Sequence, residues 1–269
     1  MENMSSKIEI QPKGSYFQID ENGFLINPAS VEKLQEKWKP LIEDIIEAYK
    51  TVYGEKLQNV YIRGSVAKGE AVDGVSDIDT FCFVDLSNEE IKERNAARGK
   101  LRRDIEAKYN FVEEVEMGAR PLSAIPESSI ILNQALCVYG EPLPVPQLKV
   151  GKEMAINSYS LNSRFKWLEN FLTKDESDEE IKKDCVWLMK GLLRIGFEIT
   201  MERSQKYTRD LYLCYETFAE YYPDKEPEMR EALELALNPI SDRQEIKRIM
   251  DNLGQWLLSE IPYHFEVKE

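Results

Sequence analysis

Two aspartates separated by a single residue form the part of this sequence best suited to chemistry. Asp77 and Asp79 open a largely apolar run that continues to Val84. In a β-strand alternate side chains share one face, so both carboxylates would point the same way while Ile78 points into the core. Neighbouring carboxylates repel each other, and one tends to keep its proton unless a divalent metal ion or a strong cation binds to them. The spacing therefore predicts a cation site on this strand.

A Gly-Ser pair precedes the aspartates and is suited to binding phosphate. The apolar run Val60 to Ile62 leads into Gly64-Ser65. Glycine permits a close approach of the backbone, and Ser65 is predicted to cap a short helix from Val66 to Gly69. The N-terminal amides of such a helix could face a phosphate group.

The region from Asn59 to Asp85 resembles the signature of the nucleotidyltransferase superfamily, which includes DNA polymerase beta and the aminoglycoside nucleotidyltransferases. The matching residues are Gly64-Ser65, Lys68-Gly69 and Ser76-Asp77-Ile78-Asp79, in the order strand, Gly-Ser turn, short helix and Asp-x-Asp strand. An ordinary strand-helix-strand unit would leave two aspartates on one strand face unexplained, because aspartate is depleted in strands. The resemblance implies transfer of AMP from ATP to an acceptor hydroxyl, with two Mg2+ ions bound by Asp77 and Asp79.

The resemblance also implies a third carboxylate on the next core strand. Alternation over the predicted strand Phe111 to Gly118 puts Glu114 and Glu116 on one face and Glu113 on the other. The segment VEMGARPLSAI resembles the corresponding strand of the streptomycin/spectinomycin adenylyltransferases. That match selects Glu116 as a metal ligand and general base, with Glu114 as the alternative.

The C-terminal half resembles the helical half of the same adenylyltransferases, in which an arginine within a long helix and a basic residue before an aspartate contact the nucleotide phosphates. These positions correspond to Arg194 and Arg209, and the resemblance implies that Asp184 faces the acceptor. The interval between the two basic residues is slightly longer than in the family, so Lys206 is an alternative to Arg209. For each of these residues, an exposed helical charge is the alternative role.

The surrounding elements predict an α+β fold. A hairpin is predicted at Tyr16 to Asn27, followed by a helix that Pro40 should kink or divide. A capping box at Ser87 predicts a helix through Tyr109. Pro126 to Cys137 is predicted to be helical.

A proline-spaced segment, LPVPQLKVG, is the predicted linker, with a boundary near Pro146. Residues 1–146 are predicted to form a nucleotidyltransferase domain, in which helices flank a mixed sheet and the hairpin is an accessory. Residues 147–269 are predicted to form an all-α bundle, because amphipathic helices follow one another and no strand alternation remains.

Composition restricts location and partners. The chain has 269 residues and a formal net charge of −14, which disfavours nucleic acid and is compatible with a cationic substrate. No apolar run is long enough to span a bilayer and the N-terminus lacks the layout of a secretory signal, so a cytoplasmic location without membrane attachment is expected. The four scattered cysteines and the one histidine, His264, do not suggest a metal site.

These features together predict a metal-dependent adenylyltransferase with a small hydroxylated acceptor, and they favour aminoglycoside-type antibiotics. One alternative is adenylylation of a protein or another macromolecule, although the complete helical domain argues against the minimal form of such enzymes. Another is a non-catalytic nucleotide-binding module, although the intact set Asp77, Asp79 and Glu116 argues against it.

Overall fold

The computed structural model of the chain describes residues 8–265, with only the backbone of Tyr159. These residues fold as two compact units. The sheet unit comprises residues 24–148, and the helical unit comprises residues 8–23 and 149–265. The sheet unit ends two residues after the predicted boundary at Pro146. Residues 8–23, which were expected in the catalytic domain, pack instead with the helices.

The sheet unit is built on strands in the order β3-β2-β1-β4. Strand β2 runs parallel to β3, whereas β1 runs antiparallel to both of its neighbours. The elements are α1 (Lys39–Tyr53), β1 (Leu57–Arg63), α2 (Gly64–Lys68), β2 (Ile78–Val84), α3 (Asn88–Glu93), α4 (Asn95–Lys108), β3 (Val115–Pro121), α5 (Ser129–Leu132) and β4 (Leu136–Tyr139).

Pro40 divides the first predicted helix, as expected. Before it, only two short 3-10 turns form, Val31–Lys33 and Glu36–Trp38. Helix α1 then begins with Pro40 in its first turn, where a missing N–H costs nothing, and buries Leu41 and Ile45 against the sheet. The division at Pro40 is therefore confirmed.

The predicted capping box is confirmed as well. Ser87 Oγ accepts the N–H of Glu90 at 3.3 Å, and the Glu90 carboxylate accepts the N–H of Ser87 at 2.8 Å. The helix that follows is interrupted at Arg94, so α3 and α4 replace the single predicted helix.

Two boundary predictions at the end of the sheet unit are wrong. Strand β3 begins at Val115, because the backbone at Phe111 and Glu113 bonds to the loop before β2 instead of to a strand. In the predicted helical run Pro126 to Cys137, helical structure is confined to a 3-10 turn, Pro126–Ser128, and the one-turn helix α5 that follows it. The last residues of the run form β4, because Leu136 pairs with Ile62 of β1.

The sheet of the first unit and the helices of the second together confirm the predicted α+β class. Its longest described helix, α8, starts with a capping box at Ser177 and buries a face that includes Cys185, Leu188 and Leu192. A π-helical turn at Met250–Gly254 joins the last two helices. The elements are α6 (Ile156–Tyr159), α7 (Leu161–Leu168), α8 (Asp178–Glu198), α9 (Met201–Ser204), α10 (Leu211–Tyr221), α11 (Glu226–Leu237), α12 (Arg243–Ile249) and α13 (Gln255–His264).

Residues 8–17, called the N-terminal strap below, lie against the helical unit without forming a described helix or strand. The Ile8 N–H donates to Asn238 Oδ1 at 2.6 Å, and Asn238 Nδ2 donates back to Ile8 O at 2.8 Å. Ser15 N–H donates to Asp210 Oδ2 at 2.8 Å. These bonds explain why the segment belongs to the helical unit.

The predicted hairpin is present only as a turn. Gly23 N–H donates to Asp20 O at 3.0 Å, so the central residues of the turn are Glu21 and Asn22, one position before the predicted pair Asn22-Gly23. Between Tyr16 and Asn27, however, the structure has no extended strand. Over the whole described part of the chain, no helix combines the length and apolarity needed to cross a membrane.

Candidate active site

The corner between β1 and α2 puts a glycine against the second aspartate. Gly64 has a φ of 77°, a conformation that residues with side chains rarely adopt. A Cβ atom at this position would lie 3.2 Å from Asp79 Oδ2. The glycine therefore allows the backbone of α2 to come close to the carboxylate.

Ser65 lies inside α2 and does not cap it. The helix begins at Gly64 instead of Val66, so Arg63 occupies the N-cap position and makes no side-chain capping bond. The predicted capping role of Ser65 is therefore wrong. Its half-buried hydroxyl lies in the first turn of α2, next to the glycine that approaches Asp79.

Three charged residues form a row across the sheet, called the charged row below. The strand register pairs Arg63 of β1 with Asp79 of β2, and Asp79 with Glu116 of β3. Residues opposite each other on neighbouring strands project to the same face. Arg63 Nη2 lies 3.4 Å from Asp79 Oδ1, and the Asp79 side chain is 19% exposed.

The neighbouring Asp79 makes the carboxyl group of Glu116 harder to deprotonate. Hydrogen bonding with Asp79 raises the pKa of Glu116 to about 7, and burial and the negative charge of Asp79 act in the same direction. Arg63 opposes this rise. A carboxylate pair of this kind is stabilised by binding a proton or a cation.

The structure separates the two candidate glutamates. Glu114 precedes β3, is largely exposed, and has its carboxylate 3.6 Å from Arg102 Nη1 of α4. Glu116 lies on β3 directly beside Asp79. Alternation along the sequence could not distinguish the two glutamates, because the predicted strand included Glu114 as well as Glu116 and put both on one face.

Asp77 lies just before β2 and is exposed. Ile78, between the two aspartates, is fully buried, as the alternation predicts. The structure therefore brings Asp79 and Glu116 into one row and leaves Asp77 in the loop that leads into β2.

The charged row fits a magnesium ion that arrives with a nucleotide. Within residues 8–265, no three His, Cys, Asp or Glu side chains are grouped closely enough to hold a metal ion. Mg2+ prefers oxygen ligands, however, and is commonly bound by one or two carboxylates together with substrate phosphates. Asp79 and Glu116 supply that donor set, because the strand register places the two carboxylates side by side.

A buried network on the opposite sheet face holds β2 and β3 together. Thr80 Oγ1 donates to Glu116 O at 2.6 Å. Tyr49 OH of α1 donates to Gly118 O at 3.0 Å and lies 2.9 Å from Thr80 Oγ1. Neither side chain was predicted from the sequence to support the site. The signal in the sequence was Thr80, a polar residue within an otherwise apolar part of the strand.

A cavity of about 490 Å³ opens beside the charged row. Phe81 and Gly118, the next pair of that face on β2 and β3, form part of its wall. A Cβ on Gly118 would lie 3.3 Å from Phe81 Cβ, so the glycine keeps this wall open. The volume is within the usual range for small-molecule sites, about 300 to 1,000 Å³.

In the helical unit, Arg194 of α8 and Arg209 line a second cavity, of about 640 Å³. Burial lowers the pKa of Arg194 to about 10, and the positive charge of Arg209 contributes. Lys206, the alternative to Arg209, does not line this cavity, and its Nζ lies 5.0 Å from the ring centre of Tyr16.

Asp184 lies apart from that pair of arginines. It is half-buried on α8, about 15 Å along the helix from Arg194 at 1.5 Å per residue. Burial raises the pKa of Asp184, the negative charge of Glu176 adds to the rise, and Lys174 opposes it. The structure thus brings together Arg194 and Arg209 but not Asp184.

Comparison with known proteins agrees with the arrangement of the sheet unit. Residues 32–132 match the family model described as a nucleotidyltransferase domain, and this range includes the Gly64 corner and the whole charged row. Among solved structures, the chain is similar to spectinomycin adenyltransferase AAD(9) from Enterococcus faecialis, determined with ATP and spectinomycin, with 15% identity and a TM-score of 0.49 over 81% of this chain and 98% of that one. No curated protein matches. Residues 32–132, about two fifths of the chain, are therefore similar to a nucleotidyltransferase domain.

Proposed function

We propose that the protein transfers AMP from ATP to a hydroxyl group of a small acceptor. The observation that carries this proposal is the charged row, in which Asp79 and Glu116 lie side by side within the matched domain. For the acceptor we propose an aminoglycoside-type antibiotic. This class is supported by the resemblance of VEMGARPLSAI, and of the helical segment around Arg194, to antibiotic adenylyltransferases.

In the proposed reaction, the acceptor hydroxyl oxygen attacks the α-phosphorus of ATP. The bond from that phosphorus to the oxygen bridging it to the β-phosphate breaks, and pyrophosphate leaves with the bonding electrons. Glu116 accepts the hydroxyl proton. A general base must be within hydrogen-bond reach of the proton that it accepts, and Glu116 is exposed at the end of the charged row, beside Asp79.

The other residues of the sheet unit bind and orient the nucleotide. Asp79 and Glu116, with Asp77, would hold Mg2+, which when bound neutralises phosphate charge and lowers the pKa of an attacking hydroxyl. Gly64 lets the α2 backbone approach the phosphates, and Ser65 offers its hydroxyl to the β- and γ-phosphates. These interactions position the reactants instead of forming a covalent intermediate.

In the helical unit, we propose that Arg194 and Arg209 bind phosphate oxygens and that Asp184 binds a cationic group of the acceptor. The two arginines are supported by their common cavity. Asp184 is supported by its partial burial, which strengthens a charge-assisted bond to an ammonium group.

Pyrophosphate release with Mg-ATP tests the proposal. The acceptors are a panel of aminoglycosides, spectinomycin and lincosamides, and the proteins are wild type, Asp79→Asn and the matched control Glu114→Gln. We expect release with at least one aminoglycoside-type compound, its loss in Asp79→Asn, and near-normal release in Glu114→Gln. Equal pyrophosphate release by wild type and Asp79→Asn would refute the assignment of the charged row as the active site. Absence of pyrophosphate release with every compound would refute the proposed class of acceptor.

A further inference from the structure

Arg63 links the two parts of the site that the proposed function uses. It is the last residue of β1, and Gly64 and Ser65 follow it directly along the chain. Across the sheet, its partner in the strand register is Asp79. The guanidinium therefore projects from the same sheet face as the carboxylates of the charged row, and it lines the cavity of about 490 Å³ beside them.

The contact between Arg63 and Asp79 is loose. Arg63 Nη2 lies 3.4 Å from Asp79 Oδ1, whereas a strong arginine–carboxylate pair is bidentate, with distances of about 2.7 to 2.9 Å. Within residues 8–265, this is the only hydrogen bond or ion pair of the Arg63 side chain, which is 34% exposed. The guanidinium can therefore leave Asp79 at little cost.

Arg63 takes the place of a cation in the metal-free protein. Among the described residues, it makes the only ion pair with either carboxylate of the row, Asp79 or Glu116. A divalent cation bound between these carboxylates would repel a guanidinium at this distance. Metal binding therefore requires Arg63 to move, and the open space next to it is the cavity that it already lines.

We propose that Arg63 neutralises Asp79 in the metal-free protein and, when a metal ion replaces it there, binds oxygens of the α- and β-phosphates of the nucleotide. The second half rests on the proposed function, in which Ser65 binds the β- and γ-phosphates and negative charge develops between the α- and β-phosphates as pyrophosphate leaves. A guanidinium at that point stabilises the charge. The resemblance to antibiotic adenylyltransferases gives Arg63 no role.

Titration of Mn2+ into the metal-free protein, followed by electron paramagnetic resonance of the free ion, tests the first half. Arg63→Gln should bind Mn2+ about fivefold more tightly than wild type, because the ion no longer displaces a partner of Asp79. Arg120→Gln is the matched control. Arg120 lines the same cavity but makes no ion pair within the described residues, so this variant should bind Mn2+ like wild type.

Three results would overturn the first half. One is equal Mn2+ affinity in wild type and Arg63→Gln. Another is the same gain in Arg63→Gln and Arg120→Gln, because the gain would then reflect net charge alone. The third is absence of Mn2+ binding to both wild type and Arg63→Gln, because the charged row would then accept no metal ion for Arg63 to replace. Far-UV circular dichroism should show native helix content in each variant.

Calorimetric titration of α,β-methylene ATP in excess Mg2+ tests the second half, because this analogue cannot release pyrophosphate. Arg63→Gln should now bind about tenfold more weakly than wild type, the usual value of one charge-assisted contact. Arg63→Lys, which keeps the positive charge, should recover part of the loss. A merely structural role of Arg63 would not tighten the binding of metal while it weakens that of the nucleotide. Wild-type affinity of Arg63→Gln for the analogue would refute the phosphate contact.

The acceptor screen decides the proposed function separately. Neither titration requires an acceptor, so opposite effects of Arg63→Gln on metal and nucleotide would support this inference even if the screen finds no substrate. Conversely, transfer by Arg63→Gln with the kcat and KM of wild type would refute the role of Arg63 in the reaction and leave the proposed function intact.

Discussion

Replacement of Glu116 by glutamine should stabilise the metal-free protein while it abolishes transfer. The side chain keeps its shape but loses the charge that Asp79 opposes. Glu116 has a pKa raised from 4.5 to about 7 in the folded protein. Between these two values the folded state binds more protons than the unfolded chain, so stability falls as the pH rises through this window and levels off above it. The glutamine variant does not undergo this loss.

The size of the effect follows from the same shift. At about 1.4 kcal/mol for each unit of pKa, a rise from 4.5 to about 7 corresponds to roughly 3 kcal/mol. Glu116 is exposed, so solvent screens much of the repulsion, and about 1 kcal/mol should remain. The melting temperature of Glu116→Gln above pH 7 should therefore exceed that of wild type by roughly 3 °C.

Thermal melting in EDTA at pH 5 and pH 8 measures this difference. The two proteins should melt together at pH 5 and apart at pH 8. Addition of Mg2+ at pH 8 should stabilise wild type more than the variant, since the cation replaces the lost proton. Glu114→Gln is the control, because that carboxylate is close to Arg102 and not to Asp79. A pH-independent difference, or a less stable Glu116→Gln, would falsify the coupling of Asp79 with Glu116.

Three other substitutions test separate parts of the structure. Asp79→Asn should remove Mg-ATP turnover and leave the melting temperature equal or higher, and near-normal turnover would contradict the metal-site proposal. Ser65→Ala should raise the KM for ATP several-fold without lowering stability, since Ser65 caps nothing and alanine favours helix by about 0.5 kcal/mol; unchanged ATP kinetics would remove its phosphate role. Glu198→Ala should destabilise the helical unit by about 3 kcal/mol in urea denaturation, because its buried carboxylate accepts four hydrogen bonds from Asn157 and Ser158. A change under 1 kcal/mol there would contradict this reading.

Local patterns were sufficient to predict the elements that hold the Asp-x-Asp motif. The Gly64 turn, the capping box at Ser87 and the division at Pro40 all depend on residues within one or two turns of each other. Local hydrogen bonds and fixed backbone angles determine such features. The long amphipathic helices of the C-terminal half were predicted for the same reason, because periodicity is a local signal.

Features that depend on distant partners could not be predicted in this way. Strand β4 reads as helix in isolation because four apolar residues carry no clear period, and only its pairing with Ile62 of β1 makes it a strand. The N-terminal strap contains few apolar residues and takes its position from Asp210 and Asn238, about two hundred residues away. Pairing of Asp79 with Glu116 likewise requires the parallel register of two strands that no local pattern specifies.

The register of β2 and β3 decides whether this domain can perform the proposed chemistry. A slip of one residue would turn Glu116 to the opposite sheet face and separate it from Asp79. The bonds that oppose such a slip lie on the buried face, where Thr80 binds the carbonyl of Glu116 itself and Tyr49 binds the carbonyl of Gly118. The backbone carrying the reacting carboxylate is therefore positioned from the core side. Tyr49 of α1 and Thr80 of β2 thus fix the strands whose other face carries the charged row. The stability of this core and the geometry of the site depend on the same hydrogen bonds.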